Sequence, residues 1–286
     1  MIPAAFSYQR PASLDEALRI LASDGEAKVL AGGMSILPLL KLRLASAETL
    51  VDIGRIAELK GVRQLPDGRL AIGALTTYRE IAESPARHYG LLGDALPGIG
   101  DLQVRNRGTI GGAIAHADPA SDMSACLLAL DAELVARSSE GERTIPIDGF
   151  FQGPFETSLA TGEILTEIRL PGPRNDAGSA YVDLEQSASG YPLVGVAAVV
   201  FAGVGGKLAG ASIAVTGVGD HAYRARAVEA ALAGSDRSAA SIVAAAAHAT
   251  DGIDVASDIH ADRAYRTAMA AVYTRRAIEA ALGRLT

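Results

Sequence analysis

The sequence predicts an α+β protein in which two small mixed units precede a sheet packed against C-terminal helices. Short apolar runs of strand length are interspersed with helical patterns up to residue 172. A segment dense in Pro, Gly and Asn, from Pro171 to Gly178, then interrupts the pattern and is the best candidate for a linker. Beyond it, two long apolar strands are followed by three helical segments. We therefore expect three units, at residues 1–55, 56–172 and 179–286.

The first unit is predicted from alternating strand and helix signals. Ser13-Leu14-Asp15-Glu16 has the spacing of a capping box, which marks the start of a helix. The predicted elements, in order, are a strand at Phe6–Gln9, a helix at Leu14–Ala22, a strand at Lys28–Ala31, a helical run at Ser35–Leu44 and a strand at Leu50–Ile53.

The second unit mixes strands with helices. Leu70–Ala74 alternates as a strand, and Thr77–Glu83 begins a helix. A further helix is expected after Asp118-Pro119, through Leu130. A strand is predicted at Ala132–Arg137, and the segment Glu163–Leu170 ends at Pro171.

The third unit is predicted to have strands at Leu193–Phe201 and Gly210–Thr216 before its helices. The longest helix spans Asp262–Leu282. Four of its residues recur at helical spacing and form one apolar stripe: Tyr265, Met269, Val272 and Tyr273. This stripe is interpreted as ordinary packing, with a partner-binding face as the alternative.

Composition excludes several classes of protein. The 286 residues carry a net charge of −7, which gives no basic surface for nucleic acid or an anionic membrane. The N-terminus lacks the basic and apolar regions of a secretion signal. The longest apolar stretch, Val194–Gly206, is too short to span a bilayer. With one cysteine there can be no internal disulfide, so we predict a cytoplasmic protein.

The single cysteine also limits the metal chemistry available. Cys126 lies among apolar residues and is expected to be a core side chain, with a reactive thiol as the alternative. One cysteine cannot build an iron–sulfur or cysteine zinc site. The five histidines show no metal-ligand spacing, and no catalytic triad or HExxH motif is present. We predict no metal site and no catalytic side chain on this chain.

Two glycine-rich segments carry the strongest functional signal. They are Val29-Leu30-Ala31-Gly32-Gly33-Met34-Ser35-Ile36 and Asn106-Arg107-Gly108-Thr109-Ile110-Gly111-Gly112-Ala113. Glycine lets a backbone approach a ligand closely, and the exposed N–H groups of such turns suit phosphate oxygens. Ser35 and Thr109 add hydroxyl groups. Either segment alone could be a plain turn, but together they predict a diphosphate held between two loops.

Neither segment matches the common nucleotide-binding motifs. There is no Gly-Lys-Ser/Thr as in a P-loop, and the Rossmann Gly-x-Gly-x-x-Gly spacing is absent. A nucleotide other than ATP or NAD bound in the usual way is therefore indicated.

The same segments resemble those of a known family. Ala31 to Arg43 is similar to the first FAD loop, and Gln103 to Asp122 to the second FAD loop, of the medium subunits of molybdenum hydroxylases. These are enzymes of the carbon monoxide dehydrogenase and xanthine dehydrogenase type. The resemblance continues at Glu163–Pro171, Ala188–Tyr191, Ser257-Asp258 and Ala264–Arg266, and covers nearly the whole chain. It implies a two-part FAD-binding domain of the vanillyl-alcohol-oxidase-like type before a C-terminal sheet-and-helix domain.

The resemblance also implies which residues contact FAD. The expected set is Val29, Leu30, Ala31, Gly32, Gly33, Met34, Ser35, Ile36, Ile99, Thr109, Ile110, Gly111, Gly112, Ala113, Asp122, Leu165 and Tyr191. Within it, 31–35 and 109–113 would cradle the pyrophosphate, and Asp122 would bond to the adenosine part. Ile99 and Leu165 would be apolar neighbours, while Tyr191 would pack beside the isoalloxazine.

Some interpretations remain open. Asp122 could instead be a charge at a helix N-terminus. His116 could be structural, or it could face the flavin or relay protons. Arg105 and Arg107 could neutralise phosphate, lie at the surface or contact another subunit. The family often has Lys or Arg where this chain has Asp183 and Glu185, and Asp where it has Gly190. These departures leave the tuning of the flavin and its final acceptor undecided.

By resemblance, the chain is one subunit of a complex. A large subunit would hold the molybdenum cofactor and a small one the [2Fe-2S] clusters, in a dimer of heterotrimers. Electrons would pass from the clusters through FAD to NAD, oxygen, a quinone or a cytochrome. The alternatives are a stand-alone FAD-dependent oxidase and a non-redox nucleotide-binding protein. The substrate cannot be identified from this chain.

Overall fold

The computed structural model describes residues 2–285, which form three main sheets and a separate two-stranded hairpin. The first is a small parallel sheet ordered β1-β3-β2. Its helix α1 begins after Ser13, whose side chain accepts the N–H of Glu16 as the capping pattern predicts. The elements are β1 Ser7–Gln9, α1 Leu14–Ser23, β2 Lys28–Leu30, α2 Ile36–Leu42 and β3 Thr49–Asp52.

The second sheet is antiparallel, in the order β4-β5-β10-β6-β7. Five short helices pack beside it, and Thr77 caps one of them with the reciprocal bonds of a capping box to Glu80. The elements are β4 Val62–Gln64, β5 Leu70–Gly73, α3 Tyr78–Ala82, α4 Gly90–Ala95, α5 Leu102–Arg105, α6 Ile110–His116, α7 Asp122–Ala129, β6 Glu133–Ser138, β7 Gly141–Pro146, the hairpin β8 Phe151–Gly153 and β9 Glu156–Thr157, and β10 Ile164–Leu170.

The third sheet is an antiparallel meander of four strands with helices on one face. Alternate residues of β12 face two different cores. Val196 and Ala198 pack towards the C-terminal helices, whereas Ala197 and Val199 pack against the second unit. The elements are β11 Ala177–Glu185, β12 Pro192–Ala202, β13 Leu208–Thr216, β14 Tyr223–Arg224, α8 Arg226–Leu232, α9 Ala239–Ala246 and α10 Arg263–Gly283. Single 3-10 turns occur at Ala57–Leu59, Pro85–His88, Leu96–Gly98 and Val204–Gly206.

The predicted α+β class is confirmed, and Cys126 is buried in the core as expected. The predicted linker is too long at its end, because Ala177 and Gly178 already pair with Phe201 and Val200 in the third sheet. Within residues 2–285, no helix combines the length and the apolar character needed to cross a bilayer.

The predicted packing stripe on α10 lies at the edge of the packed face and not at its centre, with Val272 half-buried. Tyr265 is 46% exposed, and Met269 and Tyr273 lie at the flank of the contact. The buried face consists of Arg266, Ala270, Thr274, Ala277, Ile278 and Ala281. Three of these six residues are alanine, and their small side chains let the helix lie close against the sheet.

Candidate functional site

A cleft of about 800 Å³ lies where the three sheets meet, a size usual for ligand sites. Each sheet contributes part of its wall. The wall comprises the loop after β2, the start of α6, the segment before α7, the tip of the β8–β9 hairpin and the β11–β12 turn. Among the residues that the structure describes, no group of three or more His, Cys, Asp or Glu could hold a metal ion.

The first glycine loop, residues 31–35, presents free backbone donors. Within residues 2–285, no acceptor takes the N–H groups of Gly32, Gly33, Met34 and Ser35. Gly33 has a φ of +79°, a conformation that glycine adopts without strain. Ser35 precedes α2 but makes no side-chain cap bond. Four consecutive donors at a cleft wall form a concave site suited to an anion.

The second glycine loop, residues 109–113, uses its donors internally. The N–H of Ile110 bonds to Thr76 O at 3.1 Å, and that of Gly111 to Ala74 O at 2.9 Å. The N–H of Gly112 donates to Thr109 Oγ1 at 3.2 Å. Of residues 109–113, only Thr109 has an N–H without an acceptor in the described chain. This loop is therefore fastened to the end of β5.

The two loops touch each other through glycine. A Cβ on Gly32 would lie 2.0 Å from Arg107 O, which real contacts do not allow. A Cβ on Gly111 would lie 2.4 Å from Ala74 Cβ. A Cβ on Gly112 would meet only the Thr109 hydroxyl, at 2.7 Å, and more distantly Ala31. Gly32 thus permits the loops to meet, and Gly111 permits the second loop to reach the sheet.

An acidic and aromatic wall faces the loops. Asp122 begins α7 and accepts the Tyr181 hydroxyl at 2.6 Å through Oδ1, while Oδ2 accepts from no other described residue. Burial raises the pKa of Asp122 to about 7; Asp183 and Glu185 add to the rise, and the Tyr181 bond opposes it. Tyr191 stands 50% exposed, and burial with Asp118 and Asp122 raises its pKa.

His116 and Phe155 form a second aromatic feature of the cleft. Their ring centroids lie 5.0 Å apart with the planes tilted by 41°. Phe155 has a φ of +59°, and its N–H donates to Ala117 O at 3.1 Å. Burial lowers the pKa of His116, so its ring is neutral at pH 7.

Most of the residues predicted to bind FAD line this cleft. Those that do are Val29, Ala31, Gly32, Gly33, Met34, Ser35, Ile36, Ile99, Thr109, Gly112, Ala113, Asp122 and Tyr191. Leu30, Ile110, Gly111 and Leu165 do not. Leu165 is buried in the core beneath the second sheet, and Gly111 lies against Ala74.

The arginines flanking the second loop have different surroundings. Arg105 donates from Nη1 to the carbonyls of Pro97, Ile99 and Gly100 at 3.1, 3.0 and 2.7 Å. It therefore fixes the loop that carries Ile99. Arg107 is exposed, and its carbonyl rather than its side chain meets Gly32.

Sequence reasoning missed three aromatic residues of the site. Tyr78 and Phe155 line the cleft, and Tyr181 holds Asp122 from 59 residues away. An aromatic residue after Gly153-Pro154 was a weak signal for an exposed turn. Nothing local marks Tyr181, because its contact is made only by tertiary packing.

Two family models match this chain and together span most of it. Residues 4–173 match the model described as "FAD binding domain in molybdopterin dehydrogenase". Residues 179–281 match the model described as "CO dehydrogenase flavoprotein C-terminal domain".

Curated relatives match along their full length. The chain is 40% identical to the carbon monoxide dehydrogenase medium chain of Hydrogenophaga pseudoflava, over 99% of each chain. It is 37% identical to the alpha subunit of the 6-hydroxypseudooxynicotine dehydrogenase complex of Paenarthrobacter nicotinovorans, over 99% of this chain and 97% of the relative.

Solved structures show the same fold. The carbon monoxide dehydrogenase of Hydrogenophaga pseudoflava that lacks the Mo-pyranopterin moiety matches with a TM-score of 0.96 and 41% identity, over 100% of both chains. The quinoline 2-oxidoreductase of Pseudomonas putida 86 matches with a TM-score of 0.92 and 34% identity, also over 100% of both.

Proposed function

The chain belongs to the FAD-binding medium subunits of molybdenum hydroxylases, and we propose that it passes electrons from a partner's iron–sulfur clusters through FAD to an external acceptor. The family and the cofactor predicted from the sequence are thereby confirmed. The chain is an oxidoreductase subunit of a multi-subunit complex.

The free N–H groups in the first glycine loop are the main evidence for how FAD is held. The pyrophosphate of FAD bears two negative charges, and backbone N–H groups bind such oxygens by charge-assisted hydrogen bonds. Gly32, Gly33, Met34 and Ser35 offer four donors that the described chain does not otherwise use. Because no carbonyl or side chain competes for them, the loop is pre-organised for the anion.

The second loop closes the pyrophosphate site from the other side. Thr109 contributes its free N–H and its hydroxyl, and Gly112 leaves space at the cleft wall. Ile110 and Gly111 support the site from behind by bonding to the end of β5. Leu165 supports it from the core, and the half-buried Leu30 lies beside Gly33.

The other walls of the cleft would contact the adenosine part and the isoalloxazine ring of FAD. The free Oδ2 of Asp122 would accept a ribose hydroxyl of the adenosine part. Ile99 would be an apolar neighbour, and Tyr191 would cover the isoalloxazine ring and limit its contact with water. His116 and Phe155 together offer a flat aromatic surface at the same cleft.

Each subunit would hold a different redox centre, and this chain would hold FAD. FAD supplies one- and two-electron chemistry, while the chain supplies its position and surroundings. The molybdenum cofactor would lie on a large partner and the [2Fe-2S] clusters on a small one, in a dimer of heterotrimers. The three units at residues 1–55, 56–172 and 179–286 would each provide one wall of the cofactor site.

The test begins with the chain stripped of flavin. We expect it to bind one FAD per chain. FMN and riboflavin should bind far more weakly, because most of the proposed binding contacts are made to the pyrophosphate. Isothermal titration calorimetry and the visible absorbance of the complex would measure this. Equal affinity for riboflavin and FAD would contradict the pyrophosphate site.

The electron route is tested in the complex. With all subunits present, substrate should reduce the flavin in a stopped-flow experiment, and removal of the small subunit should abolish that reduction. An isolated chain that oxidised substrate at the rate of the complex would instead be a stand-alone oxidase. No feature of the described residues favours that alternative over the subunit role.

A further inference from the structure

Arg266 on α10 is buried, and the FAD site described above gives it no role. Arg266 is only 4% exposed. Its Nη1 donates to the carbonyls of Leu193, at 3.0 Å, and of Gly217. Its Nη2 donates to Asp258 Oδ2 at 2.7 Å, while Nε has no partner in the described chain. A buried charge held in this way costs desolvation, so it needs a reason beyond packing.

The two carbonyls belong to strand ends beside the cleft. Leu193 follows Tyr191 by two residues at the start of β12, and Gly217 follows the last residue of β13. The strand ends are closely packed, because a Cβ on Gly217 would lie 2.5 Å from Pro192 O. Arg266 therefore ties both strand ends to the C-terminal helix at the base of the Tyr191 turn.

A second path leads from the same place to the 118–122 segment of the cleft. The N–H of Gly217 donates to Pro119 O at 2.8 Å, and Thr216 Oγ1 donates to the same carbonyl at 2.7 Å. Pro119 sits between two cleft-lining residues, Asp118 and Ala120. Gly217 thus accepts from Arg266 through its carbonyl and holds the 118–122 segment through its N–H.

We propose that Arg266, held by Asp258, is a positioning residue that sets the Tyr191 turn and the 118–122 segment against bound FAD. The inference rests on the proposed function of the cleft. A guanidinium suits this task because its planar fork places several donors at fixed angles, so one group can serve two carbonyls and a carboxylate. A lysine ammonium lacks that fork and cannot hold all three in the same geometry.

The other end of α10 provides a matched control. Arg284 also joins this helix region to the rest of the chain, through Asp94 at 2.6 and 3.0 Å and Ser179 O at 2.9 Å. Neither Asp94 nor Ser179 lines the cleft. Asp94 also accepts the N–H of Tyr181 at 3.0 Å, and that bond does not involve the arginine. Because lysine keeps the positive charge beside Asp94 at this half-exposed position, Arg284→Lys should loosen the anchor and leave Tyr181 and Asp122 in place.

The experiment compares Arg266→Lys, Asp258→Asn and Arg284→Lys in the full chain loaded with FAD. Iodide quenching of the bound flavin's fluorescence measures how well Tyr191 covers the ring, and visible circular dichroism measures the ring's surroundings. We expect Arg266→Lys to raise the quenching constant by about threefold or more, since small displacements of a positioned group have large effects. Asp258→Asn should change both signals in the same direction to a smaller extent, and Arg284→Lys should change neither.

A double variant separates positioning from general loss of stability. If Arg266 acts through Tyr191, Arg266→Lys should add little to the quenching already produced by Tyr191→Ala. Unchanged quenching and dichroism in both Arg266→Lys and Asp258→Asn would overturn the inference. So would an equal change in Arg284→Lys. If the unaltered chain failed to bind FAD at all, the proposed function itself would fail, which is a different result.

Discussion

The two glycine loops look alike in sequence but differ in how their backbone donors are used. In the first, the N–H groups of residues 32–35 have no acceptor in the described chain. In the second, the N–H groups of residues 110–113 all bond within the protein. The first loop therefore presents donors that suit an anion, whereas the second is fastened beside the sheet.

This difference shows that a Gly-Gly pair has no fixed role. Gly33 takes a backbone conformation that favours glycine, while Gly32 and Gly111 avoid collisions with neighbouring chain segments. Gly112 meets only the Thr109 hydroxyl. The role of each glycine is decided by what surrounds it, so each can be tested separately.

The largest effect on the folded chain should come from Gly111→Ala. The added Cβ would collide with the backbone and side chain of Ala74, so the loop must move away from β5. We expect a loss of about 3 kcal/mol in the free energy of unfolding, measured by urea denaturation without FAD. The neighbouring Gly112→Ala is the control and should cost about 1 kcal/mol or less, because only a hydroxyl must shift. Equal costs would mean that the second loop is not fastened as described.

The next effect concerns the contact between the loops. Gly32→Ala would place a Cβ against Arg107 O, which separates the loops and opens the pyrophosphate site. We expect FAD affinity to fall about 100-fold, as for a 1 Å displacement of a binding group. Gly25→Ala is the control, since nothing lies within 4 Å of that position. Normal affinity in Gly32→Ala would show that FAD does not need the loops in contact.

The pH dependence of stability distinguishes the glycine loops from the acidic wall. The backbone donors of the loops do not titrate, whereas Asp122 does. The pKa of Asp122 is raised to about 7, so the folded chain favours its protonated form. That stabilisation is complete below about pH 4 and is lost as the pH rises through 7. Without FAD, the unaltered chain should lose about 2 kcal/mol relative to Asp122→Asn between pH 5 and 8. Parallel stability curves for the two proteins would contradict the raised pKa.

The smallest effects are expected when the hydroxyl group of each loop is removed. Thr109 caps α6 by accepting the Gly112 N–H, whereas Ser35 makes no cap bond. Thr109→Val should therefore lower the free energy of unfolding by about 1 kcal/mol without FAD. Ser35→Ala should leave it unchanged but weaken FAD about tenfold through one lost charge-assisted bond. The reverse pattern would exchange the roles assigned to the loops.

Local patterns predicted the parts of the fold that depend on neighbours in sequence. The capping residues Ser13 and Thr77 begin helices, and the apolar alternation marks the strands. The glycine pairs indicated a diphosphate site. The pattern did not reveal that the second loop's donors are already occupied, because their acceptors at Ala74 and Thr76 are chosen by tertiary packing.

Longer-range features escaped prediction for the same reason. Tyr181 reaches Asp122 across 59 residues, and nothing near either residue signals the bond. The apolar stripe on α10 was misjudged because hydrophobicity alone favours Tyr265, while the close sheet surface selects Ala270 and Ala277. Arg266 could not be recognised as buried, since an arginine in a helix is usually exposed.

Because three sheets meet at one cleft, ligand binding and the stability of the folded chain are linked. Its walls come from chain segments as distant as residues 32 and 191, so a complete site exists only when all three regions are folded. A ligand that binds only this state stabilises it by about 2.7 kcal/mol at 100 times its Kd. Newly made chains should then resist proteolysis better when flavin is supplied than when it is scarce.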